Sequence, residues 1–241
     1  MTRPAIRDVH HRLREEQGPF VPKPRLPVLD ELIATVLSQH TSDRNSERAF
    51  ATLKSRFPRW EEVRHAPTHE VADAIRCGGI ADQKAARIQQ ILAEVERREG
   101  KLDLERLHRL DDAEAERYLT SLPGVGPKTA ACVLLFALGR PAFPVDTHVH
   151  RVTTRLGWLR AGTTAEEAHR VLTDLVPPEI RYDLHLALVA HGRTVCLAKR
   201  PRCPVCPILR WCAQGRADGR LLDDGQPSAP KRLARPRGAP A

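Results

Sequence analysis

The chain has 241 residues, of which 41% are hydrophobic and only 4% aromatic, and its formal net charge at pH 7 is +9. This length allows one large domain or two small ones. No stretch approaches the roughly 18 uninterrupted apolar residues of a membrane span, and the charged segment 1–14 lacks the apolar region of a signal peptide. We therefore expect a cytoplasmic protein without a membrane anchor.

Apolar residues at helical spacing dominate the chain, and no segment alternates apolar and polar residues as a half-buried strand does. A proline-rich linker over 18–27 separates a short N-terminal helix from a core-facing helix that begins at Val28. Pro, Gly and capping residues delimit the later helices. These are predicted at 43–57, 68–77, 82–99, 112–121, 130–138, 146–156, 164–175 and 180–192. The sequence therefore predicts an all-α protein.

Basic residues outnumber acidic ones, 39 against 30. Such a balance attracts polyanions through the release of counterions. In many basic proteins, however, the positive charge contributes only to solubility. Nucleic acid is therefore the first partner to test.

The turn LPGVGP at 122–127 joins two predicted helices. Its glycines can take positive φ and leave backbone N–H groups uncovered, so a phosphate could be bound there without any side chain. Pro127 suits the first residue of the next helix, whose N-terminal N–H groups add to the anion site. The candidate DNA-binding residues here are Leu122, Gly124, Val125 and Gly126, although an ordinary turn between helices has the same composition.

Two residues near this turn suggest catalysis. Lys128 lies in the first turn of the helix, where the helix dipole disfavours an ammonium, and a lysine amine is a nucleophile when it is neutral. A phosphate-binding or solvated lysine is the alternative. Asp146 begins a later helix and could be an N-cap, or a carboxylate that faces Lys128 and takes a proton or stabilises positive charge on a sugar.

Four of the six cysteines follow the spacing C-x6-C-x2-C-x5-C: Cys196, Cys203, Cys206 and Cys212. In a cytosolic chain such a group suggests a metal rather than disulfides, and four thiolates suit zinc or an iron–sulfur cluster equally well. The first interval contains three cations, Lys199, Arg200 and Arg202. They suggest a loop that meets DNA phosphates, with a solvated basic loop as the alternative.

Three segments together closely resemble the endonuclease III family of helix-hairpin-helix DNA glycosylases: LPGVGPKTA at 122–130, VDTHVHRV at 145–152 and HGRTVCLAKRPRCPVCPILRWC at 191–212. The resemblance implies a two-lobed, all-α fold with a C-terminal iron–sulfur cluster loop. A helical barrel over 22–138 would contain the hairpin. A cluster domain over 139–215 would pack with the N-terminal helix of 1–21. The basic segment 216–241 is expected to be disordered.

The resemblance also implies a reaction. The family's lysine matches Lys128, attacks the anomeric carbon of the nucleotide and expels the damaged base, and its aspartate matches Asp146 and assists. The resulting imine allows β-elimination, which nicks the strand at the abasic site. The four cysteines would hold a [4Fe–4S] cluster. The expected protein is a monomer that removes oxidised pyrimidines from double-stranded DNA and also binds abasic sites, associated with the nucleoid in a bacterium.

A base must leave the duplex before it can be removed, and a side chain must fill the gap. The family's polar gap-filling residue matches His40, where glutamine is usual, and Gln39 could substitute for it. Ile80 matches an apolar residue that intercalates. For both loops the alternative is a plain turn between helices.

Two other functions remain open. A monofunctional glycosylase of the adenine-mismatch kind would use water, but relatives of that kind usually lack a lysine at the position of Lys128. A noncatalytic binder of DNA structures with a redox cluster would need neither Lys128 nor Asp146.

Overall fold

A computed structural model describes residues 5–22 and 24–219. This part of the chain consists of helices and loops and contains no β-strand, so the predicted all-α fold is confirmed. None of the described helices combines the length and the apolar character that crossing a bilayer requires.

The α-helices of the described residues are, in chain order, α1 (Ile6–Gln17), α2 (Val28–Ser38), α3 (Asp43–Arg56), α4 (Trp60–His65), α5 (Thr68–Ile75), α6 (Ala81–Glu99), α7 (Asp112–Thr120), α8 (Pro127–Phe136), α9 (Thr147–Leu156), α10 (Ala165–Leu175), α11 (Arg181–Thr194) and α12 (Ala213–Ala217). Short 3-10 helices lie at Arg76–Gly78, Glu105–Arg109, Pro178–Ile180, Cys203–Val205 and Leu209–Trp211.

The predicted helices differ from these bounds mainly at their ends. The helix that contains the apolar run 130–138 begins at Pro127, as predicted, but it ends at Phe136, before Gly139, whose φ is 64°. The prediction missed α4 and α12. Both are too short to display an apolar period, and α4 buries only Trp60 and Val63.

The chain forms two compact units. The helical unit comprises residues 21–22, 24–144 and 173–182, and the cysteine unit comprises residues 5–20, 145–172 and 183–219. The sequence placed this boundary after residue 138. Residues 139–144 stay with the helical unit because Arg140 donates from its guanidinium to the carbonyl oxygens of Leu107 and Leu110, at 2.7 and 2.6 Å. A tail was predicted from residue 216 onward. Its residues 220–241 lie outside the described part of the chain, whereas residues 216 and 217 belong to α12.

Helix α2 contributes a large part of the core of the helical unit and packs against α3, α6 and α8. Its residues Leu32, Ile33 and Leu37 are fully buried. Helix α8 is buried on most of its surface, as its continuous run of apolar residues predicts. The first turn of α8 therefore belongs to a helix that is packed into the core against α2.

In the cysteine unit the N-terminal helix α1 docks on α11. The carboxylate of Asp183 accepts a hydrogen bond from the backbone N–H of Phe20 and pairs with His10, each at 2.7 Å. Helix α1 buries one apolar face: Ile6, Val9 and Leu13.

Candidate functional site

The turn between α7 and α8 is the predicted phosphate site. Leu122 and Val125 are buried in the core of the helical unit, whereas Gly124 and Gly126 are exposed. Gly124 has φ of 68°, but Gly126 is extended at φ −93° and is the N-cap of α8, so positive φ is needed at only one of the two glycines. Only backbone groups of this turn are therefore available to a phosphate.

The guanidinium of Arg87 lies against this turn. A Cβ on Gly124 would clash with that guanidinium, which extends from the exposed face of α6. Glycine at this position thus makes room for a cation as well as for the positive φ. The combination of uncovered backbone N–H groups and a guanidinium suits an anion.

Lys128 is the second residue of α8 and is half-buried. Among the described residues no side chain caps the N-terminus of this helix, so its first N–H groups have no side-chain acceptor. The adjacent Thr129 is buried, and its hydroxyl accepts a hydrogen bond at 3.4 Å from the side-chain amide of Gln39. Gln39, one of the two candidates for filling the gap in the duplex, is thus directed towards the start of α8.

Glu31 of α2 is a carboxyl group that the sequence did not single out. It is half-buried, and its Oε1 accepts a hydrogen bond from the Thr35 hydroxyl at 3.2 Å. Burial raises the pKa of Glu31 from 4.5 to about 7, while the Thr35 hydroxyl and the positive charge of Lys128 act in the opposite direction. Glu31 and Lys128 therefore belong to one electrostatic environment.

Replacing Glu31 with glutamine is expected to stabilise the protein above pH 7. Because the pKa of Glu31 is raised by folding, the unfolded state releases its proton first and the free energy of unfolding falls as pH rises from 4.5 to about 7. Glutamine does not titrate, so the variant should exceed the wild type by about 1–3 kcal/mol at pH 8. Urea unfolding of both proteins at pH 5 and pH 8 measures this gain, and a gain that does not grow with pH would be inconsistent with it.

The two loops predicted to enter the duplex lie next to each other. Among the described residues, His40 and Ile80 are the two non-glycine positions with positive φ, at 53° and 50°. His40 is exposed, and Ile80 is 45% exposed although it is apolar. The carbonyl oxygen of His40 lies 4.0 Å from the place where a Cβ would stand on Gly79. Such backbone strain is found at functional sites more often than in plain turns.

A buried lysine connects these loops. Lys84 of α6 is 5% exposed, and its Nζ donates to the carbonyl oxygens of Leu37 and Gly78, each at 2.8 Å. Leu37 lies in the last turn of α2, and Gly78 ends the 3-10 helix before α6. Burial lowers the pKa of Lys84. Lys84 therefore fixes the backbone on which His40 and Ile80 are presented.

Asp146 is the N-cap of α9 in the cysteine unit. Its Oδ1 accepts a hydrogen bond from the backbone N–H of Val149 at 2.7 Å, which is the structural role that its position predicts. The side chain is half-buried. His148 and His150, on the same helix, form hydrogen bonds with the Arg151 guanidinium and with the carbonyl oxygen of Thr163, respectively.

Two arginines connect α9 with the cysteine loop. Arg151 donates to the carbonyl oxygens of Cys196 and Gly192, at 3.0 and 2.8 Å. Arg155 donates to the Cys196 sulfur at 3.2 Å and to the carbonyl oxygens of Leu197 and Ala198, each at 2.8 Å. The loop is thereby held against the helix that Asp146 caps.

The four cysteines of the predicted cluster line one cavity of about 340 Å³: Cys196, Cys203, Cys206 and Cys212. Burial and the neighbouring cysteines raise the pKa of Cys206 to about 12, and the same causes raise that of Cys212. His191 is buried beside Cys206, with its Nε2 at 3.6 Å from the sulfur, and burial lowers the pKa of this histidine to about 4. Thiolates in such a cavity require positive charge within it.

The thiols of the cavity are donor atoms that a metal centre needs. Zinc needs all its sulfur ligands at about 2.3 Å from one point. Within residues 5–22 and 24–219, no group of three or more His, Cys, Asp or Glu side chains is arranged to hold a metal ion. Four thiols are ligands for zinc and for an iron–sulfur cluster alike.

The cations of the first interval of the cysteine loop are exposed: Lys199, Arg200 and Arg202. The backbone N–H of Arg202 donates to the carbonyl oxygen of Val195 at 2.8 Å, which folds the loop back on itself. The side chains of all three residues therefore lie at the surface of the cysteine unit and not in its core.

The sequence contained few signals for the residues that it missed. Glu31 shares a four-residue spacing with Thr35 and with Gln39, the C-cap of α2, and this pattern of polar residues could have identified it. Arg87 and Lys84 carry no such pattern, because they are two of 39 basic residues.

Comparison with known proteins identifies the family. The sequence model that describes the HhH-GPD superfamily of base excision DNA repair proteins matches residues 33–178 of this chain. An Arabidopsis thaliana protein named as a candidate DNA glycosylase is 42% identical over 166 residues, which are 69% of this chain and 57% of the relative. Endonuclease III of Thermotoga maritima is 36% identical over 189 residues, which are 78% of this chain and 84% of the relative.

Solved structures give the same result. A non-covalent complex of endonuclease III with DNA matches with a TM-score of 0.77 at 30% identity, covering 91% of this chain and 99% of the other. A trapped covalent intermediate of endonuclease III with DNA has the same TM-score and identity. The resemblance found in the sequence is confirmed. The chain belongs to the HhH-GPD superfamily of base excision DNA repair proteins, and within it to the endonuclease III family.

Proposed function

We propose that this protein is a bifunctional DNA glycosylase and AP lyase that removes oxidised pyrimidines from double-stranded DNA and nicks the strand at the abasic site. The observation that carries the proposal is the position of Lys128 in the first turn of α8, directly after the exposed glycines of the hairpin. Attack on a sugar carbon requires a nucleophilic amine, and this position places the Lys128 amine beside the uncovered backbone N–H groups that would hold a phosphate.

In the proposed reaction the Lys128 nitrogen bonds to C1′ of the nucleotide, and the electron pair of the glycosidic bond leaves with the base. The nitrogen then loses a proton, the sugar ring opens and an imine forms. The imine acidifies the C2′ hydrogen, and its removal expels the 3′ phosphate. Asp146 would stabilise the positive charge that develops on the sugar or take a proton.

We infer that the DNA is held at its backbone by the hairpin and opened by the two adjacent loops. The N–H groups of the turn at Gly124 and of α8 would bind a phosphate. His40 and Ile80 would occupy the space that the extruded nucleotide leaves, one as a polar and the other as an apolar side chain. The direction of the Gln39 side chain towards Thr129 favours His40 over Gln39 for this contact.

We propose that the four cysteines of the cavity hold a [4Fe–4S] cluster: Cys196, Cys203, Cys206 and Cys212. When bound, the cluster supplies metal–thiolate bonds that fix the cysteine loop. Arg151 and Arg155 hold the same loop from α9, so that Lys199, Arg200 and Arg202 keep a defined position for DNA phosphates.

Replacing Lys199 and Arg200 together with alanine is expected to weaken DNA binding and to flatten its salt dependence. Each phosphate contact that is lost reduces the slope of log K against log salt by about 0.9. Fluorescence anisotropy with an undamaged duplex between 50 and 200 mM salt measures the slope. The matched control removes two exposed cations at and beyond the C-terminal end of α6, Arg97 and Lys101, and an equal change in this control would place the basic loop outside the interface.

The function is tested with a duplex that contains one oxidised pyrimidine, such as thymine glycol. The expected result is a strand break without alkali treatment, formed in step with release of the base. Base release that yields breaks only after hot alkali would identify a monofunctional glycosylase. A duplex that is bound but neither deglycosylated nor nicked would identify a noncatalytic binder.

A further inference from the structure

Two loops of the helical unit have backbone conformations that their residues do not favour. His40 lies just after the C-terminal end of α2, and Ile80 immediately precedes α6. Their φ angles are 53° and 50°, in the left-handed region, which is uncommon for any residue other than glycine and a clear outlier for the β-branched isoleucine. Such a conformation persists only where the surrounding structure holds it.

The side chain of Lys84 holds the main chain beside both loops. Its Nζ donates to the carbonyl oxygens of Leu37 and Gly78, each at 2.8 Å. Leu37 lies in the last turn of α2, where carbonyl groups lack a donor within the helix, and Gly78 is the last residue of a 3-10 helix. A positive charge is also favourable at a helix C-terminus. One side chain therefore closes two helix ends, three residues before His40 and two before Ile80.

The main chain of Lys84 and the loops themselves add two further contacts. The backbone N–H of Lys84 donates to the carbonyl oxygen of Ile80 at 3.0 Å, which is the first hydrogen bond of α6. The carbonyl oxygen of His40 lies 4.0 Å from the place where a Cβ would stand on Gly79, so the two loops are neighbours. Lys84 is 5% exposed, and a lysine is rarely buried to this extent. Its burial is explained by the two carbonyl groups that it satisfies.

We propose, on the basis of the proposed function of His40 and Ile80, that Lys84 is a positioning residue that joins the two loops into one wedge, formed by the side chains of His40 and Ile80. Because Leu37 and Gly78 are bonded to the same nitrogen atom, neither loop can move away from the other without breaking a buried hydrogen bond. The polar and the apolar side chain of the wedge therefore enter the duplex together. The wedge keeps the duplex open while the extruded nucleotide reacts.

The test is the rate at which the protein opens a duplex that it cannot cleave. The duplex contains a tetrahydrofuran, an abasic analogue without the C1′ hydroxyl that imine formation needs, opposite the fluorescent base 2-aminopurine. The fluorescence of this base rises when it loses its stacking neighbours, and stopped-flow mixing with excess protein gives the rate constant. Lys84→Met keeps the length of the side chain and removes its donors. We expect the rate constant to fall roughly 5- to 100-fold, because two buried carbonyl groups lose their partner.

Affinity for an undamaged duplex separates positioning from a general loss of structure. The hairpin and the surface cations bind phosphates without opening the duplex, so this affinity should stay at the wild-type value in Lys84→Met. The matched control is Lys54→Met, because Lys54 also donates to a main-chain carbonyl oxygen, that of Pro58 at 2.8 Å, from the opposite end of α3 to the His40 loop. It should open the duplex at the wild-type rate.

Coupling between the two loops gives a second test, which leaves the core intact. His40→Ala and Ile80→Ala change exposed side chains, so both variants should fold. If the wedge acts as one unit, the double variant loses less in the opening rate than the product of the two single losses. In the Lys84→Met background the two losses should multiply.

Three results would overturn the role of Lys84. These are a Lys84→Met protein that opens the duplex at the wild-type rate, one that loses affinity for the undamaged duplex by the same factor, and single losses that multiply in the wild-type background. A wild-type protein that binds the tetrahydrofuran duplex without any rise in fluorescence would instead refute the proposed function of His40 and Ile80. The two failures are therefore distinct.

Discussion

Replacing Lys128 with alanine is expected to reduce strand nicking and base release by at least about 10³-fold, because the reaction loses its nucleophile and not only a binding contact. Alanine is an excellent helix former, and the side chain that it replaces is only half-buried, so α8 and its buried face should remain intact. The measurement is the single-turnover rate on a duplex with an oxidised pyrimidine, combined with the melting temperature of the variant.

The control is Lys128→Arg, which keeps the positive charge beside Glu31 but provides a guanidinium that stays protonated. It should bind the duplex as the wild type does and still fail to nick it. Substantial nicking by Lys128→Ala would show that another amine carries the reaction. If duplex affinity and rate fell by the same factor in Lys128→Ala, Lys128 would be a phosphate ligand and not the nucleophile.

Replacing Cys206 with serine is expected to remove the cluster and to open the cysteine loop. Cys206 is the thiol on which burial acts most, and metal binding is the source of the positive charge that such a thiolate needs. We expect the iron content to fall from about four atoms per chain to near zero, with the free energy of unfolding lowered by more than about 3 kcal/mol. Iron analysis and the brown colour of the purified protein report the first effect, and urea unfolding reports the second.

Cys77→Ala is the matched control, because Cys77 is a half-buried cysteine of the helical unit, with its sulfur 3.8 Å from the carbonyl oxygen of Asn45. It should retain the full iron content. A colourless wild-type protein that contains zinc, or a Cys206→Ser protein with unchanged iron, would refute the cluster assignment.

The hairpin was predictable from the sequence because glycine and proline mark its geometry locally. Gly124 requires positive φ, and Pro127 is the first residue of α8. The meeting of four cysteines in one cavity was predictable for a similar reason, since all four lie within one short segment. Positive φ was expected at Gly126 as well, but this residue is the N-cap of α8 and has an extended backbone. Glycine occurs in both conformations, so the residue type alone does not distinguish them.

The contacts between residues that are distant in the sequence were not predictable in the same way. Lys84 reaches Leu37 across 47 residues of sequence, and no local pattern encodes that contact. The raised pKa of Glu31 results from burial by elements that are distant in the sequence. The sequence therefore identifies groups that share a segment, and only the folded chain shows which distant groups surround them.

The bond between Lys128 and the sugar is tested most directly by mapping the borohydride-reduced adduct. The wild-type protein is trapped on a duplex with one abasic site, digested with protease and nuclease, and analysed by mass spectrometry. The account predicts that the added mass of the reduced sugar lies on the Nζ atom of Lys128, on a peptide from the start of α8. Adduct mass on any other amine, or no adduct at all, would contradict it.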